Sequence, residues 1–278
     1  MTPLAKRHVE NAVAHTIPAT PWRVAGLPAG AAIRVLSDDP VTGALTGVLN
    51  LPLGFSSSGA VLACSADLQM FVLEGELRIG EARLTAGDYC FHPAGSAAGD
   101  WECTTAARAL LIVGPRPEFV TIGPDALARG HDPRMIPVLD SWALQWVDPL
   151  AASDPSTPYR TGVMVKMLRE DPETGSTTHL AGLMPGWFMP GLEVHPVTEE
   201  NYCLSGDVHI GTVGDVPGYT MTEGVYLCRP PGIAHGPILS KNGNVNFCYT
   251  HGRLGIDYRE DTRSEALIRD HLRGYPWR

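Results

Sequence analysis

Two histidines and a glutamate in the second half of the sequence have the types and the spacing of a metal site. His195 and Glu199 are 4 positions apart, and His235 follows Glu199 after 36 positions. Gly and Pro surround both segments, which is typical of short strands joined by tight turns. Imidazole and carboxylate groups are ligands of Fe²⁺, Zn²⁺ and Mn²⁺. The three residues therefore predict a site for one divalent metal per chain.

The region that carries these residues has an earlier copy in the same chain. Three blocks recur in the same order, and they pair residues 34–43 with 166–175, 71–80 with 202–211, and 87–95 with 224–232. Three matches in one order indicate a duplicated domain rather than chance similarity. We therefore expect two homologous domains, an N-terminal one over residues 1–123 and a C-terminal one over residues 124–278.

Both copies consist of short apolar runs that alternate with polar residues and are separated by Gly, Pro and Asp turns. This pattern predicts an all-β chain with one small barrel or sandwich for each copy. Helix is expected at two places only. One is a helical turn at residues 125–129, and the other is a short C-terminal helix at residues 265–272, capped by Ser264 and ended by Gly274.

Strand alternation distinguishes the two copies. One face of the strand after His195 is polar where its earlier counterpart is apolar: Glu199, Asn201 and Cys203 align with Leu68, Met70 and Val72. His195 aligns with Cys64, and His235 aligns with Ala98. The first domain should therefore be filled with side chains and lack a metal, whereas the second should hold the site. Asn201 would be a catalytic polar group in that pocket or would pair with buried backbone.

The second copy resembles the cupin superfamily. Glu199 and Gly206 follow His195 at the spacing of the first cupin motif, and residues 224–235 match the second, G-x5-P-x-G-x2-H. With two copies the chain is similar to a bicupin, and its Asp-Pro-Glu-Thr-Gly segment and Glu-Glu doublet resemble ChrR-type cupins. The resemblance implies two tandem jelly-roll-like double-stranded β-helix barrels. That class includes the zinc-bearing domain of an anti-sigma factor and small dioxygenases that cleave diketones or hydroxyacetophenones.

Glu193 is the main departure from the family pattern, because cupins usually have the first histidine of a His-x-His pair at this position. The resemblance implies His195, Glu199 and His235 as metal ligands directly, and Glu193 by position alone. Its carboxylate would be a fourth ligand, a group that binds substrate or acts as a base, or a surface group. His179, on the preceding strand, would point inward or, as the favoured interpretation, be a solvated or hydrogen-bonded strand histidine.

The resemblance implies a metal-dependent cupin enzyme that acts on a small molecule. Our first interpretation is a nonheme Fe²⁺ dioxygenase for a small carbonyl or aromatic metabolite, with Zn²⁺ or Mn²⁺ as other candidate metals. The alternatives are a metal-dependent hydrolase, lyase or isomerase, or a non-catalytic sensor of a small molecule or metal. Four prolines within residues 1–30 argue against a long N-terminal helix that would bind a sigma factor.

Composition restricts the partners. A net charge of -9 argues against nucleic acid or an anionic membrane as a partner. The sequence has no apolar run of membrane-spanning length and no apolar core of a signal peptide, so a cytoplasmic location is expected. The 6 cysteines lack CxxC spacing and should be reduced. The apolar outer strand faces need cover, which a homodimer would supply.

Overall fold

The computed structural model describes residues 6–24, 27–57, 61–122, 132–149, 162–213 and 217–259. These residues are almost entirely strands and turns, and their one helical element is a 3-10 turn at Ala14–Thr16. The predicted all-β class is confirmed. The predicted helical stretches at 125–129 and 265–272 lie outside the described residues. Among the residues that are described, no helix has the length and apolar character of a membrane span.

Contacts divide the chain into two compact units. The first unit includes Ala14–Leu144, and the second combines His8–Val13 with the residues from Gln145 onward. The first described strand, β1 (Val9–Val13), thus belongs to the second unit. All 6 cysteines are buried and free of disulfides.

The first unit contains one large and two small antiparallel sheets. Its strands are β2 (Thr20–Pro21), β3 (Ala32–Asp38), β4 (Leu45–Leu51), β5 (Val61–Cys64), β6 (Leu68–Glu74), β7 (Glu76–Ile79), β8 (Ala82–Thr85), β9 (Asp88–His92), β10 (Ala97–Gly99), β11 (Trp101–Glu102), β12 (Ala107–Val113), β13 (Phe119–Ile122) and β14 (Ile136–Asp140). The large sheet has the order β14-β9-β6-β12-β4-β3-β2, and the small ones are β10-β5-β13 and β11-β7-β8.

The second unit has the same kind of architecture. Its further strands are β15 (Val163–Glu170), β16 (Thr177–Leu183), β17 (Phe188–Met189), β18 (Leu192–Val194), β19 (Glu199–Gly206), β20 (Val208–Ile210), β21 (Tyr219–Met221), β22 (Val225–Arg229), β23 (Ile238–Leu239), β24 (Asn244–Thr250) and β25 (Asp257–Arg259). The large sheet has the order β1-β22-β19-β24-β16-β15, beside the small sheets β17-β23-β20-β21 and β18-β25.

The strand order reproduces the sequence repeat. The run β9-β6-β12-β4-β3 in the first unit corresponds strand for strand to β22-β19-β24-β16-β15 in the second. At the edge of each sheet, β14 occupies the place in the first unit that β1 occupies in the second. β1 directly precedes the first unit in sequence but pairs in the second unit. β14 precedes the second unit in sequence but pairs in the first unit. The ranges 1–123 and 124–278 stay a prediction, and the compact units instead divide between Leu144 and Gln145, with His8–Val13 in the second unit.

Matching turns support the same correspondence. Asp39 follows β3 and accepts two backbone N–H bonds through Oδ1, at 2.9 and 3.3 Å. Asp171 follows β15 and does the same at 2.9 and 3.2 Å. Each turn ends in a glycine with positive φ, 74° at Gly43 and 70° at Gly175, a conformation that favours glycine. The repeated Asp-Pro-x-Thr-Gly segment is thus one turn used twice.

Candidate metal centre

Four side chains converge inside the second unit, and short backbone contacts fix three of them. Glu193 lies on β18 and pairs with His235 through two backbone hydrogen bonds of 2.9 and 3.0 Å. His195 follows β18, and its carbonyl accepts a 2.9 Å bond from the N–H of Gly232. Glu199 begins β19. The strand-and-turn pattern of this region therefore places all four predicted ligand residues around one point.

The side-chain distances are short enough for a shared ion. Glu193 Oε1 lies 3.0 Å from His235 Nε2 and 3.9 Å from His195 Nε2. Glu199 Oε2 lies 3.7 Å from His195 Nε2 and 3.9 Å from His235 Nε2. The ligand atoms of Glu193, His195 and His235 all lie within 4.8 Å of one another. Glu193, His195 and His235 thus form the compact group, and Glu199 lies outside it with Oε2 facing both imidazoles.

Both histidines have the tautomer that a metal ligand needs. His195 Nδ1 lies 2.9 Å from the carbonyl oxygen of Gly255, and His235 Nδ1 lies 3.2 Å from that of Ile233. A carbonyl oxygen accepts and cannot donate, so each Nδ1 bears the proton. With Nδ1 held by a carbonyl, each ring turns its Nε2 toward the carboxylates, which is how metal-binding histidines are usually oriented.

Two polar atoms at this point lack a partner within the described part of the chain. His195 Nε2 and Glu199 Oε2 are both buried and make no hydrogen bond. A buried polar atom without a partner costs about 1–3 kcal/mol. A cation between the imidazoles and the carboxylates would satisfy both atoms. The donor set therefore fits a divalent metal on chemical grounds.

The Glu199 carboxyl is ionised as a ligand must be. Burial by itself would raise its pKa, but His195, His235 and Arg229 outweigh burial and lower the pKa to about 2. A hydrogen bond from Asn201 lowers it further in the same direction. Glu199 is therefore a carboxylate at any pH near neutral.

Asn201 contacts Glu199 and is itself oriented by a thiol. Cys248 Sγ donates to Asn201 Oδ1 over 2.6 Å, and burial raises the pKa of this thiol well above its usual value, with a further contribution from Glu199. The thiol is therefore protonated, and Asn201 has its amide nitrogen left for Glu199. This position gives Asn201 a role in orienting the ligand. Its catalytic role stays a prediction.

Arg229 was not identified from the sequence as part of the site. It is buried on β22, and its Nη1 lies 3.9 Å from Glu199 Oε2. Its Nε and Nη2 donate to the two carboxylate oxygens of Glu10 at 2.8 and 3.1 Å. Glu10 lies on β1, 219 positions earlier. No local spacing signal connects residues so far apart, so the pairing of β1 with β22 was needed to find them.

His179 lies buried on β16 in the wall of the cavity beside this point, so it points inward, and it is also hydrogen-bonded to Thr177. Thr250 Oγ1 donates to the carbonyl of Gly252 at 3.0 Å, so its only proton is used there. The 2.9 Å contact between Thr177 and Thr250 is then donated by Thr177. Thr177 must accept at its 3.2 Å contact with His179 Nδ1. His179 therefore has a protonated Nδ1 and an unprotonated Nε2.

Burial also keeps the His179 imidazole neutral. It lowers the pKa of His179 to about 4, although the negative charge of Glu199 acts in the opposite direction. Near neutral pH the ring is therefore uncharged, with an unprotonated Nε2 as a hydrogen-bond acceptor.

The cavity next to the four ligand residues has a volume of about 350 Å³, within the range of small-molecule sites. Its polar lining includes His179, Asn201, Arg229 and Asn246 as well as the ligand residues. The rest of the wall is mainly apolar: Val163, Val165, Ala181, Leu183, Trp187, Met189, Val208, Ile210, Met221, Leu227, Ile238, Leu254 and Ile256. The pocket suits a small molecule with an oxygen-bearing end and an apolar body.

The first unit has apolar residues at the corresponding positions. A 2.7 Å bond from Gly95 N to Cys64 O matches the bond from Gly232 to His195, which supports the alignment of Cys64 with His195. Leu62, Cys64, Leu68 and Ala98 are all buried in its apolar core. Within the described residues of this unit, no group of three metal-ligating side chains comes together.

Comparison with known proteins defines the family. The model for "Domain of unknown function (DUF4437)" matches residues 22–257. A crystal structure of a "putative dioxygenase" from Nostoc punctiforme has a TM-score of 0.76 at 24% identity, over 94% of this chain and 88% of that one. A single-residue variant of oxalate decarboxylase from Bacillus subtilis has a TM-score of 0.59 at 12% identity, over 97% and 85%. Ylba from E. coli has 0.60 at 12%, over 91% and 97%.

The search of curated protein sequences finds no match. The structural matches show the fold and do not single out the ChrR type. Together with the tandem all-β units, they show a bicupin architecture. The chain therefore has the cupin fold and belongs to the DUF4437 family.

Proposed function

We propose that this chain is a metal-dependent enzyme, specifically a nonheme Fe²⁺ dioxygenase that acts on a small carbonyl or aromatic metabolite. The observation that carries the proposal is the set of two imidazole Nε2 atoms and buried carboxylates at one end of a mainly apolar cavity. The fold shared with a "putative dioxygenase" and with oxalate decarboxylase supports an enzyme of this kind.

In this proposal His195, Glu199 and His235 hold the metal, and Glu193 is a fourth ligand through Oε1. When bound, Fe²⁺ supplies the open coordination positions and the redox chemistry of nonheme oxygenases. Two carboxylates make the site harder and more anionic than a site built from histidines alone. Asn201 holds the Glu199 carboxylate in its orientation.

His179 is the residue that we propose to accept a hydrogen bond from the substrate. Its Nδ1–H is used by Thr177, so its unprotonated Nε2 remains to accept a hydrogen bond from a hydroxyl or an enol in the cavity. A neutral imidazole with an unprotonated Nε2 accepts such a bond and thereby orients the oxygen of the substrate. The substrate class is therefore a small molecule whose oxygen-bearing end carries an acidic hydrogen.

The apolar wall of the cavity would orient the substrate and exclude water. Trp187 and Met189 line the cavity and would pack against an aromatic or aliphatic body, which fixes its orientation. Few polar groups line the remaining surface, so a bound substrate displaces water from it. Ordered positioning and exclusion of water are what a protein contributes to chemistry of this kind.

Oxygen uptake by the Fe²⁺-loaded protein tests the proposal, with acetylacetone and 2-hydroxyacetophenone as probes. We expect oxygen and probe to be consumed together by the wild-type protein. His179→Gln should lower the rate by about 2- to 10-fold, as expected for loss of one hydrogen bond, while iron content stays unchanged. His209→Gln is the matched control, because His209 does not line the cavity.

Two other outcomes would contradict the dioxygenase. Conversion of the probes by Zn²⁺-loaded protein without oxygen uptake would indicate a hydrolase, lyase or isomerase. Saturable binding of a probe without any conversion would indicate a sensor.

A further inference from the structure

The Arg229 guanidinium lies between two carboxylates and makes hydrogen bonds to one of them. It donates to both oxygens of Glu10, whereas its Nη1 remains 3.9 Å from Glu199 Oε2. We infer that Glu10 is a positioning residue that holds Arg229 away from Glu199, so that Glu199 Oε2 stays available to a divalent metal. The inference rests on the proposed metal site, since it concerns how one of its ligands is kept free.

The distances show that Arg229 bonds to Glu10 and not to Glu199. Hydrogen bonds from N–H to oxygen have lengths of about 2.7–3.2 Å, so the contacts to Glu10 are bonds and the contact to Glu199 is not. Arginine and carboxylate form a strong pair when they meet directly. Among the described residues, Glu10 and Glu199 are the carboxylates within 4.0 Å of Arg229. Without the charge of Glu10, Glu199 is the carboxylate left to Arg229 among the described residues.

An irregularity in the backbone of β1 positions the side chain of Glu10. The pairing of β1 with β22 is irregular between Val9 and Ala12, and Asn11 has a φ of 53° within this irregularity. A β-bulge turns a side chain away from the direction that regular alternation would give it, and Asn tolerates positive φ better than most residues. The bulge thus places Glu10 against Arg229 on the neighbouring strand.

Tyr219 completes the arrangement. Its hydroxyl donates to Glu10 Oε2 and accepts from Arg229 Nη2 at 3.2 Å. The tyrosine therefore holds both members of the pair, and it resists rotation of the guanidinium toward Glu199. The consequence is that a strand from the beginning of the chain sets the metal affinity of a site in the second unit.

A comparison of Zn²⁺ affinities tests the inference, measured by competition with a chromophoric chelator in wild type, Glu10→Gln and the double variant Glu10→Gln/Arg229→Gln. Glu10→Gln should weaken Zn²⁺ binding by about 10- to 100-fold, the cost of disturbing a ligand's surroundings. The double variant should regain most of this affinity, because no guanidinium remains to occupy Glu199. Glu76→Gln, which breaks an ion pair with Arg83 in the first unit, should change nothing.

Tyr219→Phe gives a second test that leaves both charges in place, and it should weaken Zn²⁺ binding by about 2- to 10-fold, as expected for one hydrogen bond. Wild-type affinity in Glu10→Gln, or a double variant as weak as Glu10→Gln, would overturn the inference and leave Glu10 a purely structural role. A wild-type protein that binds no Zn²⁺, Fe²⁺ or Mn²⁺ would instead overturn the metal site itself. Melting of each apo variant shows that the comparison is made between folded proteins.

Discussion

The inner face of each large sheet carries the same cross-strand row with different side chains. In the second unit the row is polar, and it consists of Thr177, Thr250, Glu199 and Arg229. In the first unit the paired positions are Leu45, Val113, Leu68 and His92. Strand order and register are equal in the two rows, so the backbone does not explain why one unit has a candidate site. The side chains of a few inward positions decide it.

The next row shows how the first unit has closed its interior. The row of His179, Cys248, Asn201 and Leu227 corresponds to Gly47, Leu111, Met70 and Cys90. At Gly47 an added Cβ would lie 2.8 Å from the carbonyl oxygen of Arg34 and 2.9 Å from Ile33 Cγ1. No side chain fits there without movement of the backbone. The same arrangement of strands therefore encloses a filled core in the first unit and a cavity in the second. The two interiors can be tested separately.

The largest expected effect is loss of the metal after removal of a ligand in the second unit. His235→Ala removes one of the two imidazoles, and metal affinity should fall by more than the roughly 100-fold that is the upper range for disturbing a ligand's partner. Cys64→Ala removes the counterpart of His195 in the first unit and should leave metal content unchanged. Metal analysis after gel filtration measures both. Equal retention by the two variants would remove the distinction between the units.

The second effect concerns the filled unit. Trp101 is fully buried there and stacks on Trp22 at 5.8 Å between ring centroids. Trp101→Ala should lower the free energy of unfolding by about 3–5 kcal/mol, because it removes a large side chain and leaves a cavity. Metal affinity should not change. Urea unfolding and chelator competition measure the two quantities, and a parallel loss of both would show that the first unit supports the site.

The third effect is a pH dependence that belongs to the first unit. His92 is buried, and burial lowers its pKa from 6.5 to about 4. In the unfolded chain His92 binds a proton below about pH 6.5, whereas in the folded chain it does so only below about pH 4. Stability therefore falls as the pH falls through this window. The loss should reach about 2 kcal/mol between pH 7 and pH 5. His92→Leu should remove that part of the loss.

Urea unfolding at a series of pH values measures the slope in wild type and in His92→Leu. Because the ligands of the second unit are the same in both proteins, the difference between the slopes reports His92 alone. Identical slopes would show that His92 is not held neutral by burial.

The smallest effect concerns the support of a ligand. Asn201 orients Glu199, and its counterpart in the first unit is Met70. Asn201→Leu keeps the volume but removes the hydrogen bond, so metal affinity should fall by about 10-fold, at the lower end for such partners. Met70→Leu is the matched control and should leave affinity unchanged. An unchanged affinity in Asn201→Leu would leave Asn201 as a group that contacts only substrate.

The sequence predicted the parts that depend on local pattern. Glycine turns and strand alternation indicated the all-β fold, and short matching segments indicated the repeat. Each of these signals lies within a few consecutive residues. The spacing of His195, Glu199 and His235 predicted a cluster, and the structure brings them together with Glu193. Comparison of the copies also anticipated the apolar counterparts Cys64 and Ala98.

The sequence could not predict what depends on long-range pairing. Glu10 meets Arg229 only because β1 joins the edge of the second unit's sheet. The tautomer of His179 depends on Thr250, which is 73 positions from Thr177. Neither relation has a spacing that a single sequence reveals. A polar group that serves a site across a sheet is found only once the strand order is known.

Metal stoichiometry of the wild-type protein tests the difference between the units most directly. Protein purified without chelator, then reloaded with Fe²⁺ or Zn²⁺ and desalted, should contain about one metal ion per chain by mass spectrometric metal analysis. That ion should be absent from His195→Ala and His235→Ala. About two ions per chain, or one ion that survives both substitutions, would contradict a single metal centre in the second unit.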